Sequence, residues 1–214
     1  MKFLLSFIIS VMWLQAASAD QIDFRSGWKN QRLSLFSTNR YNFGKSTLGL
    51  TSNGAVSIAW SRVDARQANS RRAAWSWRVD QSVVATDLSR KGGDDRNISL
   101  YFVYLPESEA AKLQGASIRA LLGNKSVRVL QYAWGGNHGR GTFIPSPYGP
   151  AGQGVTVALR QAGTGAHSES RDLARDYKRA FGGQIMTLVG LAVSGDSDDT
   201  DGAIKAQLSG LTLN

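Results

Sequence analysis

Cysteine is absent from the 214 residues. That excludes disulfides, thiolate zinc sites, iron–sulfur clusters and a cysteine nucleophile. Histidine is scarce: His138 and His167 are the only two, and neither has the spacing from a serine and a carboxylate that a known catalytic triad shows. Glutamate is almost as rare, with only Glu107, Glu109 and Glu169. Glycoside hydrolysis needs two carboxyl groups facing each other roughly 5–9.5 Å apart. Here two of the three glutamates fall in a predicted surface helix and the aspartates gather in turns, so nothing points to such a pair. What the chain has in excess is positive charge, with 25 Lys and Arg against 16 Asp and Glu, a formal +9. It is also rich in glycine and aromatic rings, and its hydrophobic share of 42% is enough for a real core, which excludes wholesale disorder.

The first nineteen residues form a segment apart. Lys2 supplies a positive start, Phe3 to Leu14 is apolar apart from Ser6 and Ser10, and Ala17-Ser18-Ala19 offers the small residues a signal peptidase accepts. The apolar run is shorter than the about 20 residues a membrane span needs. Residues 1–19 therefore read as a signal peptide, followed by a single domain over 20–214 with no further membrane span. The mature chain is expected to be periplasmic or secreted. Export without cysteine suits a bacterial periplasm. It also argues against nucleic acid as the partner of the basic surface and favours glycans or anionic envelope components.

Beyond Ala19 a period of two dominates. Ala55–Val63 alternates Val56, Ile58 and Trp60 with Ser57, Ala59 and Ser61. Trp75, Trp77 and Val79 alternate with Ser76, Arg78 and Asp80, and this spacing places both tryptophans in a core. Asn97–Leu105, Val127–Trp134, Gly154–Arg160, Thr187–Ser194 and Ile204–Leu213 follow the same rule, and the last changes phase at Gly210, which predicts a bulge. With weaker runs at Leu33–Phe36 and Thr47–Thr51, the count is about nine short strands separated by Gly, Asn and Asp turns, an all-β sandwich. Short helices are predicted at Pro106–Leu113, with a further turn at Ala116–Leu122, and at Asp172–Phe181, where Asp172 is the N-cap and Gly182-Gly183 the stop.

Two segments carry candidate chemistry. Trp134-Gly135-Gly136-Asn137-His138-Gly139-Arg140 ends a strand in a glycine-rich loop. Glycine allows close backbone approach to a ligand, and Tyr148 follows closely enough to share the rim. Trp134, Asn137, His138, Arg140 and Tyr148 are thus the candidate ligand-binding residues. In Asp196-Ser197-Asp198-Asp199-Thr200-Asp201 four carboxylates crowd six positions. Calcium favours such clusters, which makes Asp196, Asp198, Asp199 and Asp201 candidate metal ligands. The competing reading is a turn whose aspartates cap backbone N–H groups. The acidic turn Gly92-Gly93-Asp94-Asp95 is flanked by Arg90, Lys91 and Arg96 and reads as salt-bridged or capped. Gly195-Asp196-Ser197 and Gly44-Lys45-Ser46-Thr47 are fragments of hydrolase and phosphate-loop signatures that lack their remaining residues.

Taken together, Trp75-Ser76-Trp77-Arg78-Val79-Asp80, Gly93-Asp94-Asp95, Tyr132-Ala133-Trp134-Gly135, Pro145-Ser146-Pro147-Tyr148, Arg171-Asp172-Leu173 through Gly182, and Gly190-Leu191-Ala192-Val193 through Thr200 resemble the bacterial exported domain-of-unknown-function 3047 family. The resemblance covers roughly residues 70–214. It implies a jelly-roll sandwich like those of carbohydrate-binding modules and carries no established activity or catalytic residue. The expected function is a non-catalytic sandwich that binds a glycan or anionic envelope ligand. The alternatives are a polysaccharide-acting enzyme using His138 or His167, and a structural partner of an exported complex.

Overall fold

The computed structural model describes residues 19–33 and 37–214. The signal-peptide reading lies outside the described residues apart from Ala19, and so do residues 34–36 of the weak run at Leu33–Phe36. The strands are β1 (Asp20–Gln21), β2 (Lys29–Arg32), β3 (Arg40–Phe43), β4 (Thr47–Asn53), β5 (Val56–Arg62), β6 (Arg72–Gln81), β7 (Arg96–Leu105), β8 (Arg128–Gly135), β9 (Phe143–Pro145), β10 (Gly154–Arg160), β11 (Gly165–Asp172), β12 (Thr187–Asp196) and β13 (Ala203–Leu213). The helices are α1 (Glu107–Lys112), α2 (Ile118–Gly123) and α3 (Leu173–Phe181). The strands form a six-stranded sheet ordered β11-β6-β13-β4-β3, with β1 added to β13, and a seven-stranded sheet ordered β2-β5-β12-β7-β8-β10-β9. The two pack as a jelly-roll sandwich.

Strand alternation supplies the core. From the six-stranded sheet, Trp75, Trp77 and Val79 meet Ile98, Leu100, Phe102 and Tyr104 of β7 and Leu130, Tyr132 and Trp134 of β8. The rings interlock edge to face or tilted: Trp75–Trp77 at 5.5 Å, Trp77–Trp134 at 5.8 Å, Trp75–Tyr132 at 5.4 Å and Phe102–Tyr132 at 5.7 Å. Such offset geometries are favoured by the ring quadrupole. Both faces of β5 are partly apolar, and its small residues Ser57, Ala59 and Ser61 are the buried ones. This leaves Val56, Ile58 and Trp60 on the outer face of the seven-stranded sheet. The phase change in β13 is real: Gly210 has φ 61°, and the pairing of β13 with β6 shifts register between Ser209 and Thr212.

Helix α3 closes one end of the core. Asp172 caps it by accepting from the Arg175 N–H at 2.9 Å, and Gly182 ends it at φ 75°. Leu173 and Tyr177 are buried, Tyr177 lying 5.2 Å from the Tyr104 ring. Asp176 on the same face accepts from the Tyr132 hydroxyl at 2.8 Å and from Arg171 Nη2 at 2.6 Å. The acid thereby ties helix to sheet without leaving a buried charge unpaired.

At the end of β8, Gly135 lies against the start of β7. A Cβ there would sit 2.6 Å from both Cα and Cβ of Arg96, and backbone cannot swing away as a side-chain tip can. Gly135→Ala is expected to cost about 1–3 kcal/mol through overpacking and to displace Arg96. Urea unfolding at unchanged m-value is the check; an unaltered midpoint would mean that β7 yields freely.

Candidate functional site

The outer face of the seven-stranded sheet carries one continuous row of residues. Lys29 of β2 pairs with Trp60, Trp60 with Ala192, Ala192 with Tyr101, Tyr101 with Gln131, Gln131 with Thr156 and Thr156 with Ile144. Over the middle of this row runs a groove made of two hollows of 480 and 270 Å³, which share Ile58, Tyr101, Gln131, Ser146 and Tyr148. These sizes suit a small-molecule or oligomer site. The 146–150 loop forms one wall, and Ile118 of α2 lines the apolar end.

The floor is polar and already oriented. Thr156 Oγ1 donates to Gln131 Oε1 at 3.0 Å, and Gln131 Nε2 donates to Ser99 Oγ at 2.8 Å. The Tyr101 hydroxyl shares a hydrogen bond with Ser194 at 2.7 Å and accepts from Arg96 Nη2 at 3.0 Å. Strand pairing fixes these side chains, so they present donors and acceptors without having to be ordered first. Tyr148, 45% exposed, is the one large ring at the wall. Its hydroxyl donates to Asp94 Oδ1 at 2.6 Å, and Lys91 Nζ stands 5.7 Å from the ring centre. Burial, followed by the neighbouring Asp94, pushes its phenol well above the ordinary range.

The other end of the groove is acidic. Asp94, Asp196, Asp198 and Asp199 line it together with Arg96. Arg96 Nη1 donates to Asp94 Oδ2 at 2.8 Å and to Asp196 Oδ2 at 3.0 Å. Asp95 is fully buried and caps the turn after β12, accepting from the Asp199 N–H at 3.2 Å, from the Thr200 N–H at 2.9 Å and from the Thr200 hydroxyl. Asp199 Oδ2 in turn accepts from the Asp94 N–H at 3.3 Å. Asp196 Oδ1 and Arg96 Nε are buried without a partner. Desolvation raises the Asp196 carboxyl to about 8, with Arg96 opposing the shift and Asp198 adding to it.

The sequence-predicted residues separate on folding. Tyr148 lines the groove. Trp134 does not: it faces the other sheet, 2% exposed, with its ring 5.0 Å from His167. Its register after Tyr132 turns it inward, and no face of the indole is left for a ligand. Asn137 is held through its backbone, donating N–H to Thr86 at 2.8 Å and accepting from Gln161 at 2.8 Å. His138 Nε2 stands 3.4 Å from Asp87. Arg140 reaches to the six-stranded sheet, where with Arg160 it pairs with buried Glu169 at 2.8 and 2.9 Å. The glycine-rich loop therefore does not join Tyr148 in one site.

Of the four predicted metal ligands, Asp196 and Asp198 converge with Asp95, their ligand atoms lying within 4.8 Å of one another. Asp199 is engaged with the Asp94 backbone. Asp201, exposed at φ 47°, turns toward Gly54 and lies outside this cluster. Neither the floor residues Tyr101, Gln131 and Thr156 nor the partnership of Asp94, Asp95 and Arg96 with Asp196 stood out in the sequence. The signal for the former was their outward phase in β7, β8 and β10.

Fold and groove together define a jelly-roll β-sandwich with an open groove on one sheet. The chain belongs to the family described as protein of unknown function (DUF3047), whose profile matches residues 26–212. No curated protein matches it in sequence. Among solved structures it is similar to the xyloglucanase domain of NopAA, a type three effector from Sinorhizobium fredii in complex with cellobiose, at 7% identity and TM-score 0.49, covering 92% of this chain and 98% of that one. It is also similar to the family 11 xylanase from Neocallimastix patriciarum, at 11% identity and TM-score 0.45, covering 92% and 94%. Neither likeness carries an activity or a residue role across.

Proposed function

We propose that this protein is an exported, non-catalytic glycan-binding sandwich and that the groove over the seven-stranded sheet is its site. The observation that carries this reading is the neutral, pre-oriented floor of Tyr101, Gln131 and Thr156 beside the exposed Tyr148 ring. Amide and hydroxyl groups match sugar hydroxyls, and an aromatic face matches the C–H face of a pyranose. Binding is favoured over hydrolysis because the carboxylates of the groove all lie at one end. Among the described residues no acid lines the apolar hollow, and Arg96 holds Asp94 and Asp196 together.

Among the described residues, Arg96 is also the only cation lining either hollow. Exposed Arg40, Arg78 and Lys205 lie instead on the outer face of the six-stranded sheet, in strands β3, β6 and β13. The groove thus suits an uncharged or amino-substituted polysaccharide better than the anionic polymer that net charge alone suggests.

A glycan array followed by calorimetry tests the reading. Binding to an uncharged or amino-substituted polysaccharide is expected, weakened about tenfold, or about 1.4 kcal/mol, by Tyr148→Ala and far less by Tyr148→Phe. Affinity for an uncharged polymer should also survive a rise in salt. Absence of affinity for every such polymer at low salt would sink the proposal. Release of reducing ends would overturn its non-catalytic part. Export is checked by the N-terminal sequence of protein recovered from the periplasm, which should begin at Asp20.

A further inference from the structure

We propose that Asp95, Asp196 and Asp198 hold a calcium ion at the acidic end of the groove. This inference concerns a different ligand from the glycan and stands without it. The three residues come from two places far apart in the chain, the start of β7 and the turn that leaves β12. Their ligand atoms nevertheless lie within 4.8 Å of one another. Calcium–oxygen bonds of about 2.4 Å place oxygens on opposite sides of the ion about 4.8 Å apart, so ligand atoms this close can share one ion.

A cluster of acids can be a solvated surface, and this one is not. Asp95 is fully buried and Asp196 is 7% exposed. Asp196 Oδ1 has no exposed surface and no hydrogen-bond donor. A buried carboxylate oxygen with no positive or donating partner is costly. Arg96 pairs with Asp196 only through Oδ2, and it is one guanidinium among Asp94, Asp95, Asp196, Asp198 and Asp199. A cation beside Oδ1 supplies the missing partner. Hard carboxylate oxygens without imidazole or thiolate select calcium or magnesium over transition metals. Three protein ligands are few for either ion, so water completes the shell, entering where Asp198 is exposed to the groove. Calcium is favoured because it accepts irregular oxygen shells, whereas magnesium demands near-ideal octahedral geometry.

The ligand set differs from the one the sequence suggested. Asp95 joins it, whereas Asp199 and Asp201 lie outside the converging group. That difference makes the test specific. Chelator-treated full-length mature protein is titrated with CaCl₂ and with MgCl₂ by calorimetry, and thermal unfolding is followed with and without each ion. One calcium per chain is expected, bound more tightly than magnesium, with a melting temperature that rises with calcium and returns with chelator. Asp198→Asn should weaken calcium at least about tenfold. Because Asp198 is exposed, that variant should fold normally. Asp201→Asn should bind as the parent does. No heat and no shift in melting temperature up to about 10 mM of either ion, beyond the range of weak extracellular calcium modules, would overturn the proposal. So would binding indifferent to Asp198→Asn, or binding lost with Asp201→Asn. Tighter binding of magnesium than of calcium would overturn the assignment to calcium.

Discussion

Arg96→Ala is expected to lower the free energy of unfolding by about 3–5 kcal/mol at neutral pH, the cost of removing one partner from a buried ion pair. The guanidinium is only 11% exposed and serves Asp94 at 2.8 Å and Asp196 at 3.0 Å, and it donates to the Tyr101 hydroxyl. Truncating it strands two nearly buried carboxylates and leaves a void beneath the groove. Protonation of the acids can relieve part of the cost, which sets the pH dependence. The Asp196 carboxyl, already raised to about 8 by burial, loses the influence that opposed the rise. A group with a raised folded pKa contributes stability that is present below its unfolded value and lost as pH rises toward the folded one. In chelator, the variant should therefore fall further behind the parent as pH rises from about 7 to about 9, through the value at which Asp196 ionises beside Arg96 in the parent. Urea unfolding at both pH values measures this. A deficit below about 1 kcal/mol, or one that shrinks with rising pH, would show that the acids reach water once the arginine is gone.

Trp77→Ala should be comparably severe, about 3–5 kcal/mol. The ring is 1% exposed and stands between Trp75 of its own sheet and Trp134 of the other. Trp75 cannot readily swing into an indole-sized cavity, because its ring packs against Tyr132 and Phe102. Chemical denaturation checks the value. Trp77→Phe, which keeps an aromatic surface in the gap, should lose substantially less. Equal losses for the two variants would mean that the indole's shape, not cavity volume, sets the cost.

Much of the fold is legible in the sequence because strand periodicity and turn chemistry are local. The alternation around Trp75 and Trp77, the cap at Asp172 and the phase change at Gly210 each need only their neighbours in the chain. The same logic fails at β5 and β8, where both faces carry apolar side chains. Alternation sorts Val56, Ile58 and Trp60 from Ser57, Ala59 and Ser61, but it does not say which set looks inward. In β8 it leaves Trp134 without a side, and Gly135-Gly136 next to it makes a binding loop look plausible. The structure instead uses Gly135 for the close approach to Arg96. The acidic end of the groove was half visible. The run from Asp196 to Asp201 is local, whereas its union with Asp95 and Arg96 depends on β7 and β12 being neighbours in the sheet. Tyr101, Gln131 and Thr156 look like ordinary strand residues until three strands place them in one row.

The middle strand of the six-stranded sheet is β13, the last element described. Before it is in place, β4 with β3 and β6 with β11 are separate pairs, and each leaves an edge and a half-built core face open. Pairing of β13 with β4 and β6 joins residues from Leu48 to Leu208 and from Trp77 to Leu208, long loops that must close against chain entropy. During vectorial synthesis the sheet therefore cannot close until residue 213 has emerged. Up to that moment the chain exposes Leu48, Leu50, Trp75 and Trp77 on unfinished edges, the kind of surface that holdase chaperones bind and that aggregates when left alone. The last turn before β13 is the acidic loop, so an ion bound at Asp95, Asp196 and Asp198 would fasten the start of the closing strand as it docks.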